Sequence, residues 1–122
     1  MDIQAAQVNN IAILKLAGRF DAFSAHKVEQ LLKSITTSVP ANAIIDLANV
    51  TFIDSAGLAI LLQGLKRCQQ QQGNLYLCNL KQPTRIIFEL TRFDIVFSIF
   101  DSQEIAIQNF IQKRAYNVSN HS

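Results

Sequence analysis

Ser55 stands in a short junction, Val50-Thr51-Phe52-Ile53-Asp54-Ser55-Ala56-Gly57-Leu58. An apolar run, Ala43-Ile44-Ile45-Asp46-Leu47, precedes the junction, and a long segment with one apolar face follows from about Leu58. The spacing therefore predicts a hydroxyl held where a strand gives way to a helix. Ser, Asp and Gly suit such a place, because the first backbone N–H groups of a helix lack intrahelical partners. The partial positive charge of those groups also favours a phosphate. Two uses of Ser55 follow: an ordinary N-cap, or a hydroxyl that carries a phosphate.

Other chemistry is poorly supported. A nucleophile elbow reads G-x-S-x-G, and Ile53 occupies its first glycine position. His26 precedes the serine and His121 lies in a polar tail, so no Ser/His/Asp order is available. His, Cys and carboxylate residues do not cluster at metal-ligand spacing, and no phosphate-binding G-x-x-x-x-G-K-[ST] loop occurs. No cofactor is expected. Cys68 falls on a helix and Cys78 in an apolar strand, without a C-x-x-C pattern; both read as buried free thiols suited to a reducing compartment.

The elements that must position Ser55 can be read from periodicity. Ile3–Gln7 and Ile11–Ala17 are predicted strands joined at Asn9-Asn10, where a tight hairpin suits residues that tolerate positive φ. A loop, Gly18–Phe23, leads to a helix capped by Ser24, with Val28, Leu31, Leu32 and Ile35 on one face and an end before Pro40. Ala43–Leu47 has the continuous apolar character of an interior parallel strand. The next helix carries Leu58, Leu61, Leu62, Leu65 and Cys68 inward and stops at Gly73; Gly64 in its middle suggests close packing. Asn74–Cys78 is a strand. Pro83 opens a helix to about Leu90 with Ile86, Ile87 and Leu90 inward, and Ile95–Phe100 is a last strand. A final helix, Gln103–Lys113, is predicted to start at an Asp101/Glu104 capping box and to bury Ile107, Phe110 and Ile111.

That order, β-β-α-β-α-β-α-β-α, predicts an α/β fold: a mostly parallel sheet of about five strands, one antiparallel edge strand and four helices. Sites in such sheets lie at the C-terminal ends of the strands. Asp21 and Ser55 therefore share one rim if their strands are neighbours.

Composition agrees with one compact domain. The chain has 122 residues, 49% hydrophobic and 16% charged, enough for a core without staples. Residues 1–112 form the expected domain, with 113–122 a disordered polar tail. The net charge is only +2 and the basic residues are scattered, which argues against nucleic-acid binding. The start, Met1-Asp2-Ile3-Gln4-Ala5, lacks a basic n-region and an apolar h-region. No window approaches the ~20 apolar residues of a membrane span. A cytoplasmic protein without direct membrane insertion is expected.

Three segments together carry a family resemblance. Ile44-Ile45-Asp46-Leu47 followed by Phe52-Ile53-Asp54-Ser55-Ala56-Gly57-Leu58 resembles the core of STAS domains, in particular the bacterial anti-sigma-factor antagonists. Leu16-Ala17-Gly18-Arg19-Phe20-Asp21 is similar to that family's loop before the first helix, and Gly73-Asn74-Leu75-Tyr76-Leu77 to its glycine-led fourth strand. The likeness covers residues from about 3 to 111. It implies a non-enzymatic partner switch with Ser55 as phosphoacceptor. The unmodified form would bind an anti-sigma factor that is itself a serine kinase and so release a sigma factor. Phosphorylation would abolish binding, and a serine phosphatase would restore it. Asp21, Asp54, Ser55, Ala56 and Gly57 would form the partner surface. A non-switching use of the same domain, as a signalling scaffold or the soluble partner of a membrane transport system, is the alternative.

Each residue also has a plainer role. Asp54 either bonds local N–H groups, the favoured reading, or guides the kinase. Gly57 serves either close approach of a partner or backbone geometry. Asp21 is a partner contact by resemblance and a turn residue otherwise. Phe23 is either an exposed anchor or, more commonly for Phe, partly buried. Thr51 resembles a secondary phosphorylation position near this loop in some relatives.

Overall fold

The computed structural model describes residues 1–120, with side chains through residue 113. Five strands lie side by side in chain order: β1 (Asp2–Val8), β2 (Ile11–Phe20), β3 (Asn42–Ile53), β4 (Leu75–Cys78) and β5 (Ser98–Phe100). β1 runs antiparallel to β2, and the remaining neighbours are parallel. Asn9 and Asn10 both adopt positive φ, 53° and 65°, the geometry that lets a two-residue turn follow the strands' twist. The predicted hairpin and edge strand are therefore present.

Helices α1 (Ala25–Ile35), α2 (Ser55–Gln70) and α3 (Gln82–Leu90) cover one face of the sheet. There Val28, Leu32, Leu61, Leu65 and Phe88 meet Leu14, Leu16, Ile45, Leu47 and Leu77. On the other face α5 (Gln103–Asn120) sets Ala106 and Phe110 on Ile11, Ile13, Ile44 and Tyr76. The Phe110 and Tyr76 rings stack with centroids 3.9 Å apart. Each such side chain, fully buried, contributes ~1.5–3 kcal/mol. Gly64 meets its expectation of close packing: a Cβ there would lie 2.8 Å from Leu32 Cδ1 of α1 and 3.1 Å from Leu75 Cδ1 of β4.

Several boundaries differ from the pattern, each for a physical reason. β2 and β3 are longer than predicted because their pairing continues past Ala17 and Leu47 to Phe20↔Ile53. α2 starts at Ser55, not near Leu58, and ends through a left-handed Gln72 (φ 62°) rather than Gly73. Gly73 is needed for space: its N–H donates to the Cys68 carbonyl, and a Cβ would collide with the Ala41 carbonyl oxygen.

In α3 the inward residues are Thr84 and Phe88, whereas Ile86 and Leu90 are 49% and 79% exposed and Ile87 is half-buried. Thr84 escapes a hydropathy pattern, yet its hydroxyl donates to the Lys81 carbonyl and so tolerates burial. A fifth helix, the short α4 (Phe93–Val96), takes the first two residues of the strand predicted at Ile95–Phe100, and Arg92 turns into it with φ 63°. Short apolar runs do not distinguish strand from helix. The α5 start is bonded by Ser102, whose Oγ accepts from Ile105 N–H at 3.2 Å, and not by the Asp101/Glu104 pair. Along α5, Ile107 and Ile111 are half-buried and Ala106 takes the deeper place beside Phe110. α5 runs to Asn120, beyond Lys113, and the last two residues of the expected tail lie outside the described residues.

Candidate functional site at the β2–β3 rim

Because β2 and β3 are parallel neighbours, the segments that follow them emerge side by side. Asp54 joins these segments. It is extended (φ −113°, ψ −174°), and its N–H donates to the Phe20 carbonyl at 3.3 Å. Its Oδ1 accepts the Gly57 N–H at 3.1 Å, capping α2, and its Oδ2 accepts the Ala22 N–H at 3.2 Å. One carboxylate thus caps a helix and ties down a loop thirty-two residues away in sequence. The loop-holding role read for Asp54 is the one the structure displays; the N-cap is Asp54, and Ser55 is the first helical residue.

Ser55 is exposed, Ala56 half-buried and Thr51 exposed. Gly57 is buried beneath them. A Cβ at position 57 would lie 2.6 Å from the Phe20 carbonyl oxygen and 2.9 Å from Ile53 Cγ1. That clash gives Gly57 the backbone-geometry role read for it. Its missing side chain lets α2 seat against the end of β2.

Across the rim, Asp21 organises the β2–α1 loop. Its Oδ1 accepts N–H bonds from Phe23 (3.1 Å) and Ser24 (3.2 Å), and its Oδ2 lies 3.3 Å from Arg19 Nε. Partial desolvation pushes the Asp21 carboxyl up, but the hydrogen bonds from Arg19, Ser24 and Phe23 outweigh it and hold the group below its ordinary value of 3.8. The Arg19 guanidinium also lies over the Phe52 ring, 4.1 Å from its centroid. Ser24 does not cap α1 with its side chain. Its Oγ instead donates to the Arg19 carbonyl at 2.7 Å and accepts the Asp21 N–H at 2.9 Å. Phe23 is 96% exposed, contrary to the partial burial usual for Phe. The structure thus brings Asp21, Asp54, Ser55 and Ala56 to one rim, with Phe23 projecting beside them.

The Ser55 hydroxyl is accessible, whereas both carboxylates are committed to N–H bonds. His26 sits on α1, 3.9 Å from Glu29. No group of three or more His, Cys, Asp or Glu that could hold a metal occurs among the described residues. Nor is any described helix long and apolar enough to cross a membrane. Cys68 and Cys78 are buried free thiols as expected. Burial pushes Cys68 up to about 11; burial, then the charges of Asp46 and Glu104, push Cys78 up to about 12.

Asp46 is a residue the sequence pattern missed, because it stands within an apolar strand. It is 2% exposed. Its Oδ1 accepts the Ala48 N–H at 2.9 Å, and its Oδ2 accepts Gln103 Nε2 at 2.7 Å and Asn79 Nδ2 at 3.1 Å. Asn79 and Gln103 are far from Asp46 in sequence, so no local signal pairs them with it.

A mostly parallel sheet, a helix starting at Ser55 and an aspartate that locks that start to the neighbouring loop define a small α/β domain. The sequence pattern of the STAS domain matches residues 2–106, and the chain belongs to that family. It is 30% identical over 110 residues to a Bordetella bronchiseptica protein named "Putative anti-sigma factor antagonist BtrV", covering 90% of this chain and 95% of that one. The anti-sigma-B factor antagonist of Listeria monocytogenes is 29% identical, over 81% of this chain and 86% of that one. Among solved structures, an anti-sigma-factor antagonist (STAS) domain protein from Planctomyces limnophilus shares the fold with a TM-score of 0.80 at 20% identity, over 89% of this chain and 97% of that one.

Proposed function

We propose that this chain is an anti-sigma-factor antagonist switched by phosphorylation of Ser55. Family membership and the names of the relatives support the antagonist role. The observation that carries the switch is the exposed Ser55 at the first position of α2, on a rim that Asp54 holds rigid. Unmodified, the rim docks an anti-sigma factor, which is also the serine kinase, and a sigma factor is freed. A phosphatase reverses the modification. The chain acts by binding, without catalysis, in the cytoplasm.

The physics needs no rearrangement. Phosphate adds about −1.5 to −2 charges and three acceptor oxygens. At a helix start the dipole tolerates that charge, so the fold survives. Beside the carboxylates of Asp54 and Asp21, however, it turns a contact surface into a hydrated, crowded anion. Burying such a charge without a partner costs several kcal/mol, and ~1.4 kcal/mol is tenfold in affinity. The test is a titration of Ser55→Ala and Ser55→Asp against the anti-sigma factor that co-purifies with the unmodified chain. Ser55→Ala binds like wild type and Ser55→Asp at least ~10-fold more weakly; equal affinities refute the switch.

A further inference from the structure

Four of the eight large apolar side chains exposed among the described residues lie on two adjoining helices: Ile86 and Leu90 on α3, Ile95 and Val96 on α4. α3 and α4 adjoin, and on α3 itself Ile86 and Leu90, four residues apart, lie on one stripe, with Leu90 79% exposed. Concentrated exposure of this kind marks an interaction surface rather than the scattered apolar residues of an ordinary exterior. Charges of both signs accompany it. Arg85 and Glu89 stand one turn apart on α3, and Arg92 and Asp94 border α4. None of the four forms an ion pair with another described residue.

We propose that this face joins two copies of the chain about a two-fold axis, with α3 crossing α3 of the second copy in antiparallel fashion. Residues four apart lie on one helix stripe. Ile86 and Leu90 make an apolar stripe, and Arg85 and Glu89 make a charged stripe beside it. Reversing the direction of the second helix sets Ile86 over the second copy's Leu90 and Leu90 over its Ile86. The same reversal sets Arg85 beside the second copy's Glu89, and does so twice, as an isologous contact must. A partner of one predominant charge would set either Arg85 or Glu89 against like charge; a second copy in this orientation pairs both. Two short helices per copy bury on the order of 1,000 Å² in total, at the weak end of specific interfaces.

Sedimentation equilibrium of the full chain tests this between ~1 and ~500 μM, where interfaces of that size dissociate. The weight-average mass rises with concentration from one chain toward two. Leu90→Glu, on a side chain that supports no core, holds it at one chain throughout. Glu89→Arg weakens association at least ~10-fold, and Arg85→Glu combined with Glu89→Arg restores it, because the two signs have exchanged places. A wild-type chain monomeric at every concentration, including one whose α3 face binds only a different protein, overturns the proposal. So does a dimer that survives Leu90→Glu, or a double exchange that fails to restore association. The outcome does not depend on Ser55, so it stands or falls apart from the phosphorylation switch.

Discussion

Asp54 concentrates two jobs in one carboxylate, and substitutions can separate them. Asp54→Ala removes both the α2 cap and the Ala22 tether, and urea denaturation is expected to register a loss of about 1–2 kcal/mol. Asp54→Ser keeps a capping oxygen but is too short to reach Ala22, and is expected to recover most of that loss while leaving amide exchange at Ala22 fast. Gly57→Ala forces a methyl within 2.6 Å of the Phe20 carbonyl, and is expected to cost about 1–3 kcal/mol with the α2 start displaced. The motif around Ser55 is readable in sequence because strand end, cap and helix start are contiguous. The reason for Gly57 is not, because the atom it avoids belongs to Phe20, on another strand. Likewise nothing local to Phe23 foretells that its loop, tied by Asp21 and Asp54, leaves the ring in solvent.

At the scale of elements, α3 distinguishes hydropathy from packing. Phe88→Ala is expected to lose about 3–5 kcal/mol by denaturation, since the ring is fully buried against Phe97. Leu90→Ala is expected to change stability by less than about 0.5 kcal/mol in the same measurement. Periodicity alone favours the opposite ranking, because Ile86, Ile87 and Leu90 are spaced like an inward stripe. Thr84 and Phe88 win because a hydroxyl bonded within its own turn packs like an apolar group. The buried Asp46 links β3 to Asn79 after β4 and to Gln103 at the start of α5. Asp46→Ala is expected to cost about 1.5–3 kcal/mol, leaving the Gln103 and Asn79 amides without their acceptor. The alternation of strands and helices, and with it a mostly parallel sheet, was legible in the sequence; the order of the strands and this polar bond between distant elements were not.

The whole molecule is a scaffold with the Ser55 hydroxyl on the outside and its thiols inside. Both cysteines are held neutral far above the ordinary thiol value of 9.0. Raised pKa values mean the folded chain keeps protons that the unfolded chain releases. Their contribution to stability is therefore complete below pH 9 and lost as pH rises toward about 11 for Cys68 and about 12 for Cys78. The urea midpoint is expected to fall across that window, and a thiol reagent at neutral pH is expected to label neither cysteine until the chain unfolds. The central claim, a switch written on an outward hydroxyl without a change of fold, is tested most directly by intact mass. The chain is incubated with ATP and the kinase that co-purifies with it, and the modified form is then isolated for binding. The expected result is one added phosphate, mapped to Ser55, absent from Ser55→Ala, accompanied by unchanged circular dichroism and lost affinity for the kinase. No added phosphate, a phosphate elsewhere, or a Ser55 phosphoform that binds as tightly as the unmodified chain would contradict it.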